Sequence, residues 1–446
     1  MKFEIDKQTL KDLEVFSNDD NQNSIYKLFG PTKTAGGRDK LYRLLSFPLT
    51  DLNEINERKD IFAFFHNHLP SGLTVDKDAL NFADYYLQHA DYNSRPPTRF
   101  SAISRMLFDK VNSNGDYFLI TEGVRSIIKL IKSIHKFSLS LSEKIKKYDC
   151  PKPIVDNNKR VMEIFSKPEY IKILETSKYG TYTRAKLDYM FRYTNKKHIV
   201  FFLNLIYEYD AYLTVVKTAE KYNFTYADVL SKEKSTLEIE GLFHPFVENG
   251  IANDIKFDNS TNLLFITGPN MAGKSTLLKA LGISVYLAHT GFPVPATMMK
   301  LSVLSGISTT INISDNLNSG YSHFYAEVMR IKNVANKLKQ NNNMLVIFDE
   351  LFRGTNIKDA YDGTLSIVSA FAQIKTSFFV ISSHIVEVTK ELQANKNIKF
   401  SYLEILEENG HPTYTYKLKN GITDIRLGMY IIRKEKIIDI INEVNN

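Results

Sequence analysis

The chain has 446 residues, 43% apolar and 24% charged, with a net charge of +7 and one cysteine. That length allows two or three domains with ample cores, and the composition is that of a globular protein, not a disordered or collagenous one. The single Cys150 excludes an intrachain disulfide and fits a reducing compartment.

The opening Met1-Lys-Phe-Glu-Ile-Asp-Lys7 is charged and lacks the apolar centre of a signal peptide. From there to about Asp228 the periods are long, glycines are few, and prolines sit at boundaries such as Pro48, Pro70, Pro96-Pro97 and Pro151. This stretch reads as mostly helical. Ile199-Val-Phe-Phe-Leu203 is interrupted at Asn204, and no apolar run approaches membrane-spanning length. A soluble, cytoplasmic protein with no membrane partner is expected. Between Arg125 and Lys197 stand eighteen Lys/Arg and seven Asp/Glu, a local +11 against −4 for the rest of the chain. Phe137, Tyr148, Phe165, Tyr170, Tyr179, Tyr182, Tyr189 and Tyr193 interleave with those charges. A basic, aromatic-laced region suits a polyanion such as nucleic acid, with Lys144, Lys146, Lys147, Lys159 and Arg160 as candidate contacts. The alternative is a set of solvated helix faces with the aromatics in the core. Ser231-Lys-Glu-Lys-Ser235 reads as a linker, so the expected domains are residues 1–235 and 236–446.

Leu263-Leu-Phe-Ile-Thr267 reads as a buried strand, followed by Gly268-Pro-Asn-Met-Ala-Gly273 and a helical run through Leu277, Leu278, Leu281 and Val285. The pattern G-x-x-x-x-G-K-[ST] in that context holds phosphates on backbone N–H groups at a helix N-terminus. The nucleotide would be held by Gly268, Pro269, Asn270, Met271, Ala272, Gly273, Lys274, Ser275 and Thr276. Lys274 is the candidate for the β- and γ-phosphates, and the Ser275 hydroxyl for Mg²⁺. Met344–Phe348 reads as a second strand, ending in Asp349-Glu350. Asp349 at the strand tip would position the magnesium ion through its water shell, and Glu350 would orient or deprotonate the attacking water. That pair favours hydrolysis over transfer to a metabolite. A third strand, Phe378–Ser382, leads to His384 at the same crevice of an open parallel sheet, a candidate γ-phosphate sensor. No histidine or cysteine cluster suggests any other metal. Ser322 is a good N-cap for a helix whose apolar face is Phe324, Val328, Ile331, Ala335 and Leu338. Strands alternate with helices as in a doubly wound sheet. Phe400–Leu406 and Pro412–Leu418 flank Asn409-Gly410, a hairpin turn.

Taken together, these residues resemble the ATPase domain of the MutS DNA mismatch-repair family. Thr267-Gly-Pro-Asn-Met-Ala-Gly-Lys-Ser-Thr276 departs from the family's T-G-P-N-M-G-G-K-S-T at Ala272. Gly291-Phe-Pro-Val-Pro-Ala296 is similar to its stretch ending V-P-A. Asp349-Glu-Leu-Phe-Arg-Gly-Thr355 resembles D-E-[IL]-G-R-G-T with Phe352 in a glycine's place, Asp362-Gly363 resembles the D-G that follows after a spacer a few residues longer than usual, and Ser382-Ser-His384 stands where the family has T-H. Asp315 to Glu327 resembles D-[DN]-[IL]-x-x-G-x-S-T-F-x-x-E. Ile5–Glu14, Thr34–Arg38 through Leu44–Pro48, Tyr209-Asp210 and Gly241–Pro245 resemble the family's core and lever.

The resemblance implies an α + α/β architecture: an N-terminal helical lever/core domain followed by a P-loop (ABC-type) doubly wound ATPase domain. It implies ATP and Mg²⁺ as cofactors, and a homodimer in which Ser322 is offered in trans to the partner's nucleotide. Tyr430, after Gly428-Met, would stack on the base. Gly250 stands where the family has an aromatic, so looser base selectivity is expected. No stretch like the DNA-gripping clamp is found from Arg125 to Lys197, and the mismatch-reading and connector domains are expected to be absent. Mismatch preference is therefore not expected. The closing helix, Ile437 to Val444, falls short of the family's helix-turn-helix. The expected function is an ATP-hydrolysing, mismatch-repair-type protein whose levers bind DNA, with a downstream repair protein as a possible partner. A factor for branched or bent DNA and an ATP-switched protein-interaction module are the alternatives.

Overall fold

Continuous apolar runs become strands buried on both faces. β4 (Leu263–Thr267), β7 (Met344–Asp349) and β8 (Phe378–Ser383) are buried at every position, as strands in the middle of a parallel sheet must be. The computed structural model describes every residue except 1, 18–22, 70–71, 90–95, 105–114, 177, 258–259, 270, 312–322, 353, 409–410, 424–433 and 444–446. Asn270, Ser322, Tyr430 and the Asn409-Gly410 turn therefore lie outside the described residues. Two compact units are present. One gathers Met1–Leu28, Phe47–Lys59 and Ala219–Asn446, and the other Phe29–Ser46 and Asp60–Thr218.

In the first unit the main sheet has six strands in the order β10-β9-β4-β8-β7-β6, adding β6 (Gly306–Thr310), β9 (Ile398–Glu408) and β10 (His411–Asn420). All pairs are parallel except β9 with β10, the expected hairpin. Helices cover both faces. Phe265, Val346, Phe348, Phe379 and Ile381 pack with Ile331, Val334 and Leu338 of the His323–Gln340 helix and with Val368 and Phe371 of the Ile357–Ala372 helix. On the other face Ile347 reaches the Lys274–His289 helix, where a Cβ on Gly282 would fall 2.5 Å from the Leu13 side chain. A second sheet, β1-β5-β2-β3, comprises β1 (Asp228–Leu230), β2 (Leu237–Leu242), β3 (Asn253–Phe257) and β5 (Met298–Ser302). Ser231–Ser235, linker-like in composition, is the turn joining β1 to β2 within that sheet.

The N-terminal segment completes this unit. Glu4 bridges Gly306 at the β6 edge, and Asp12 accepts from the Thr309 hydroxyl at 2.8 Å and the Ile311 N–H at 3.0 Å. Asp6 pairs with Arg330 and Lys337, each at 2.6 Å. Burial works against its charge, yet the hydrogen bonds from Arg330 and Lys337 hold the Asp6 carboxyl well below the usual carboxylate range. This anchoring corrects the expected face of the His323–Gln340 helix. Ile331, Val334, Leu338 and Glu327 are buried, whereas Val328 is 37% exposed and Ala335 is exposed. Drawing Arg330 and Lys337 to Asp6 rotates the stripe toward their flank, away from Val328 and Ala335.

The second unit is helical, as expected. Its aromatic core includes Phe65 against Tyr209 (5.2 Å), Phe137 against Tyr209 (5.5 Å) and Phe165 stacked on Phe202 (5.1 Å). Asp210 accepts from the Thr34 N–H at 2.8 Å and the Thr34 hydroxyl at 2.7 Å, so two separately noted sequence segments meet. One expectation is corrected. The Lys196–Tyr222 helix is, by length and composition, long and apolar enough to cross a membrane, with a mean hydropathy of 1.4. Asn204 does not break it: the helix continues past this residue, whose exposed amide donates to the Val200 carbonyl at 2.9 Å. Of that apolar window, 67% is buried inside the protein.

His289, at the end of the Lys274–His289 helix, is fully buried in the first unit. Its Nδ1 donates to the Leu49 carbonyl at 2.8 Å and its Nε2 accepts from the Leu304 N–H at 3.3 Å, which fixes a neutral imidazole. Burial pushes its pKa down to about 4, against a smaller upward pull from the Leu49 hydrogen bond. The unfolded chain therefore takes up this proton first as pH falls. The stabilisation from His289 is complete above about pH 6.5 and is lost toward about pH 4, up to about 3 kcal/mol. Urea titrations across that window are expected to show the decline, and His289→Gln, which does not titrate, to flatten it.

Candidate functional site

Parallel register brings three strand ends together. Thr267 of β4 lies opposite Ser383 of β8, and Asp349 of β7 lies opposite Ser382. The loop from Gly268 to Gly273 follows β4, with Gly268 at φ +134° and Gly273 at φ +96°. Both are backbone states that side chains resist, so the two glycines sit where the loop needs them. The helix begins at Lys274 with Gly273 as its N-cap.

Lys274 is buried, and its ammonium donates to the Gly268 carbonyl at 2.6 Å and the Pro269 carbonyl at 3.1 Å. It lies 3.6 Å from Glu350 Oε1. On the other side Glu350 Oε2 is 3.7 Å from Nδ1 of His384, whose side chain is half-exposed. The Asp349 carboxylate accepts from the Ser275 hydroxyl through one oxygen and from the Ser382 hydroxyl through the other. Ser382 also receives the Glu350 N–H, at its carbonyl (3.1 Å) and at its hydroxyl (3.2 Å). The structure thus gathers Lys274, Ser275, Asp349, Glu350 and His384. Ser275 and Asp349 present oxygen donors at one point, the donor type that suits magnesium. Among the described residues no group of three or more His, Cys, Asp or Glu forms a separate metal cluster.

A cavity of about 380 Å³ opens here, lined by Pro269, Met271, Gly273, Lys274, Ser275, Thr276, Glu350 and Tyr416. Beside it a more apolar cavity of about 340 Å³ is lined by Ala272, Leu277, Leu403, Val247, Gly250 and Ile251 among others, and shares Gly273, Thr276 and Tyr416 with the first. Tyr416 was missed in the sequence, where it reads as one more alternating residue of the hairpin. The β9–β10 register breaks between Tyr414 and Leu418, and Tyr416 takes φ +56°. Asn253 braces the break: its Nδ2 donates to the Tyr416 carbonyl at 3.0 Å and its Oδ1 accepts from the Leu418 N–H at 2.7 Å. The ring is thereby presented at the junction of the two cavities. No period in the sequence signals such a bulge.

The basic candidates divide into two groups in the helical unit. Lys144, Lys146 and Lys147 end the Gly115–Lys147 helix, where Lys144 and Lys147 lie over the Tyr148 ring at 5.9 and 5.2 Å. Lys159 and Arg160 are exposed on the Lys152–Phe165 helix, with Arg160 over Phe201 at 4.1 Å. Of the interleaved aromatics, Phe137, Phe165 and Tyr170 are core residues, while Tyr148 and Tyr182 carry cations on their rings.

Comparison with known proteins gives the class. The profile of MutS domain III matches residues 8–353 and that of MutS domain V matches residues 264–445. The chain belongs to the MutS family. It is similar to the DNA mismatch repair protein MSH3 of Vanderwaltozyma polyspora, with 29% identity over 65% of this chain and 30% of the relative. It is also similar to the DNA mismatch repair protein MutS of Staphylococcus epidermidis, with 30% identity over 54% of this chain and 27% of the relative. The MutS protein of Streptococcus thermophilus shares 34% identity over 42% of this chain and 22% of its own length. The chain spans less than a third of the length of these curated relatives.

The position of Tyr416 suits stacking on a flat heterocycle whose phosphates lie along the Gly268–Thr276 loop. Base–aromatic stacking contributes about 1–3 kcal/mol. Where a nucleotide occupies these cavities, Tyr416→Ala is expected to weaken its binding about 5- to 150-fold on that scale, and Tyr416→Phe to retain it. Titration with a fluorescent nucleotide measures both; equal affinities for Tyr416→Ala and wild type would remove Tyr416 from the site.

Proposed function

We propose that this chain binds ATP with magnesium and hydrolyses it, works as an ATP-driven homodimer, and applies that cycle to DNA in a mismatch-repair-type role. The observation that carries the reading is the convergence of Lys274, Ser275, Asp349, Glu350 and His384 at three adjacent strand ends. Lys274 supplies the countercharge for the phosphates; its present carbonyl acceptors, Gly268 and Pro269, hold it ready in the loop. Ser275 and Asp349 would hold the magnesium ion, which neutralises phosphate charge when bound. Glu350, with Lys274 on one side and His384 on the other, orients and deprotonates the attacking water. His384 then faces the γ-phosphate. Ser322, directly before the His323–Gln340 helix in sequence, is the proposed contribution of each subunit to its partner's nucleotide. Tyr430 is retained as a second ring for the base.

Lys274→Ala is expected to lose ATP binding. Glu350→Gln should bind ATP but turn over about 10²–10⁴-fold more slowly, the usual cost of losing a general base. In that slow variant, ATP with magnesium should shift light scattering from monomer to dimer. Wild-type turnover by Glu350→Gln would mean that another group activates the water.

For DNA, the proposed contacts are Lys144, Lys146, Lys147, Lys159 and Arg160, all met by phosphates. Each phosphate neutralised contributes about −0.9 to the slope of log affinity against log salt. Binding should fall steeply with salt and should be alike on matched and mismatched duplexes of equal length, because phosphate contacts carry no base information. Charge reversal at Lys146 and Lys147 should flatten the slope. Absence of binding at any salt would favour a lever that grips another protein.

A further inference from the structure

Phe352 adopts φ +60°, in the left-handed region where a bulky side chain is an outlier. It is nonetheless buried, 6% exposed, within the core under the main sheet. Its ring centroid lies 5.6 Å from that of Phe324, the second residue of the His323–Gln340 helix. The ring also lies against Gly363 of the Ile357–Ala372 helix. A Cβ built on Gly363 would fall 2.8 Å from Cε2 and 3.0 Å from Cδ2 of Phe352, so a larger residue there would force the ring to shift. A strained conformation of this kind persists where its surroundings over-determine it, and such sites gather around functional groups.

Two residues earlier Glu350 is also left-handed, at φ +62°, so both ends of the Glu350-Leu351-Phe352 turn are held away from ordinary backbone states. The near end is tied to β8 through the Glu350 N–H and Ser382. The far end is tied to two helices through the Phe352 ring. We propose that Phe352 is a positioning residue: packed against both Phe324 and Gly363, its ring fixes this turn and so the direction of the Glu350 carboxylate. The inference rests on the hydrolytic role of Glu350 proposed above. It adds that catalytic alignment depends on an aromatic contact that touches neither nucleotide nor water.

The test compares wild type, Glu350→Gln, Phe352→Gly, Phe352→Leu, Phe324→Ala and Gly363→Ala for kcat, KM and nucleotide Kd. Phe352→Gly is expected to lower kcat about 10- to 100-fold, the scale of a misplaced reacting group, and to leave Kd within about two-fold. Phe352→Leu, which keeps an apolar wedge, should recover most of that loss. Gly363→Ala should also lower kcat, although alanine is the better helix former, because its methyl displaces the ring. Phe324→Ala and Phe352→Gly should be less than additive in the double variant, since both remove one contact. Wild-type kcat in Phe352→Gly or Gly363→Ala, with helical circular dichroism intact, overturns the inference, as does a loss confined to Kd. Should Phe352→Gly fail to fold, Gly363→Ala and Phe324→Ala carry the same comparison. Unimpaired turnover by Glu350→Gln would sink the hydrolytic reading and this inference with it. A slow Glu350→Gln beside a normal Phe352→Gly would sink this inference alone.

Discussion

The parallel pairing of β4, β8 and β7 is the constraint on which the rest of the candidate site depends. Parallel strands point the same way, so three segments far apart in the chain deliver their ends to one crevice. The register sets Thr267 beside Ser383 and Asp349 beside Ser382. From those two pairings follow the Ser275–Asp349–Ser382 hydrogen bonds and the place of Glu350 between Lys274 and His384. A one-residue slip would turn these side chains to the opposite face. Burial of every position in the three strands guards against that, because both faces are packed beneath helices.

Left-handed backbone gathers around the same crevice. Gly268, Met271, Gly273, Glu350, Phe352 and Tyr416 all have positive φ. Two are glycines, for which the state is cheap, and Met271 is largely exposed; Glu350, Phe352 and Tyr416 are held by neighbours. Asn253 holds Tyr416 through both ends of its amide, and Ser382 holds Glu350 through its carbonyl and hydroxyl. Rigid strands thus set the distances, while braced and strained turns set the directions. The two are complementary, because a strand end alone fixes where a residue begins but not where its side chain aims.

The helical unit follows a different logic. Its long elements are joined by a few polar contacts at high sequence separation, of which Asp210 with Thr34 is the clearest. An apolar helix that could span a membrane by composition is instead the spine of an aromatic core, through Phe202, Tyr209 and Tyr212. The excess positive charge is carried on helix ends and exposed faces, and part of it rests on aromatic rings. Those rings orient the cations without neutralising them, which keeps them available to an anionic surface.

Much of this was legible in the sequence because the signals are local. A buried parallel strand is a continuous apolar run, a phosphate-type loop carries its glycines at fixed spacing, and a hairpin announces itself by an Asn-Gly pair between two strand-like runs. β4, β7, β8, the β9–β10 pair and the residues at their ends are of that kind. What the sequence could not carry depends on contacts between distant segments. The rotation of the His323–Gln340 helix was settled by Asp6, more than 300 positions away, drawing Arg330 and Lys337 toward the N-terminal segment. Tyr416 reached the cavity through a bulge braced by Asn253, and Phe352 found its place because Gly363 leaves room for a ring. Asn204 interrupts an apolar run in the sequence but not the helix, which runs unbroken from Lys196 to Tyr222. Local periodicity determined which elements form and where their chemistry-bearing residues stand; only tertiary packing decided which face each helix turns and where each side chain points, because both are set by partners that the order of residues does not bring together.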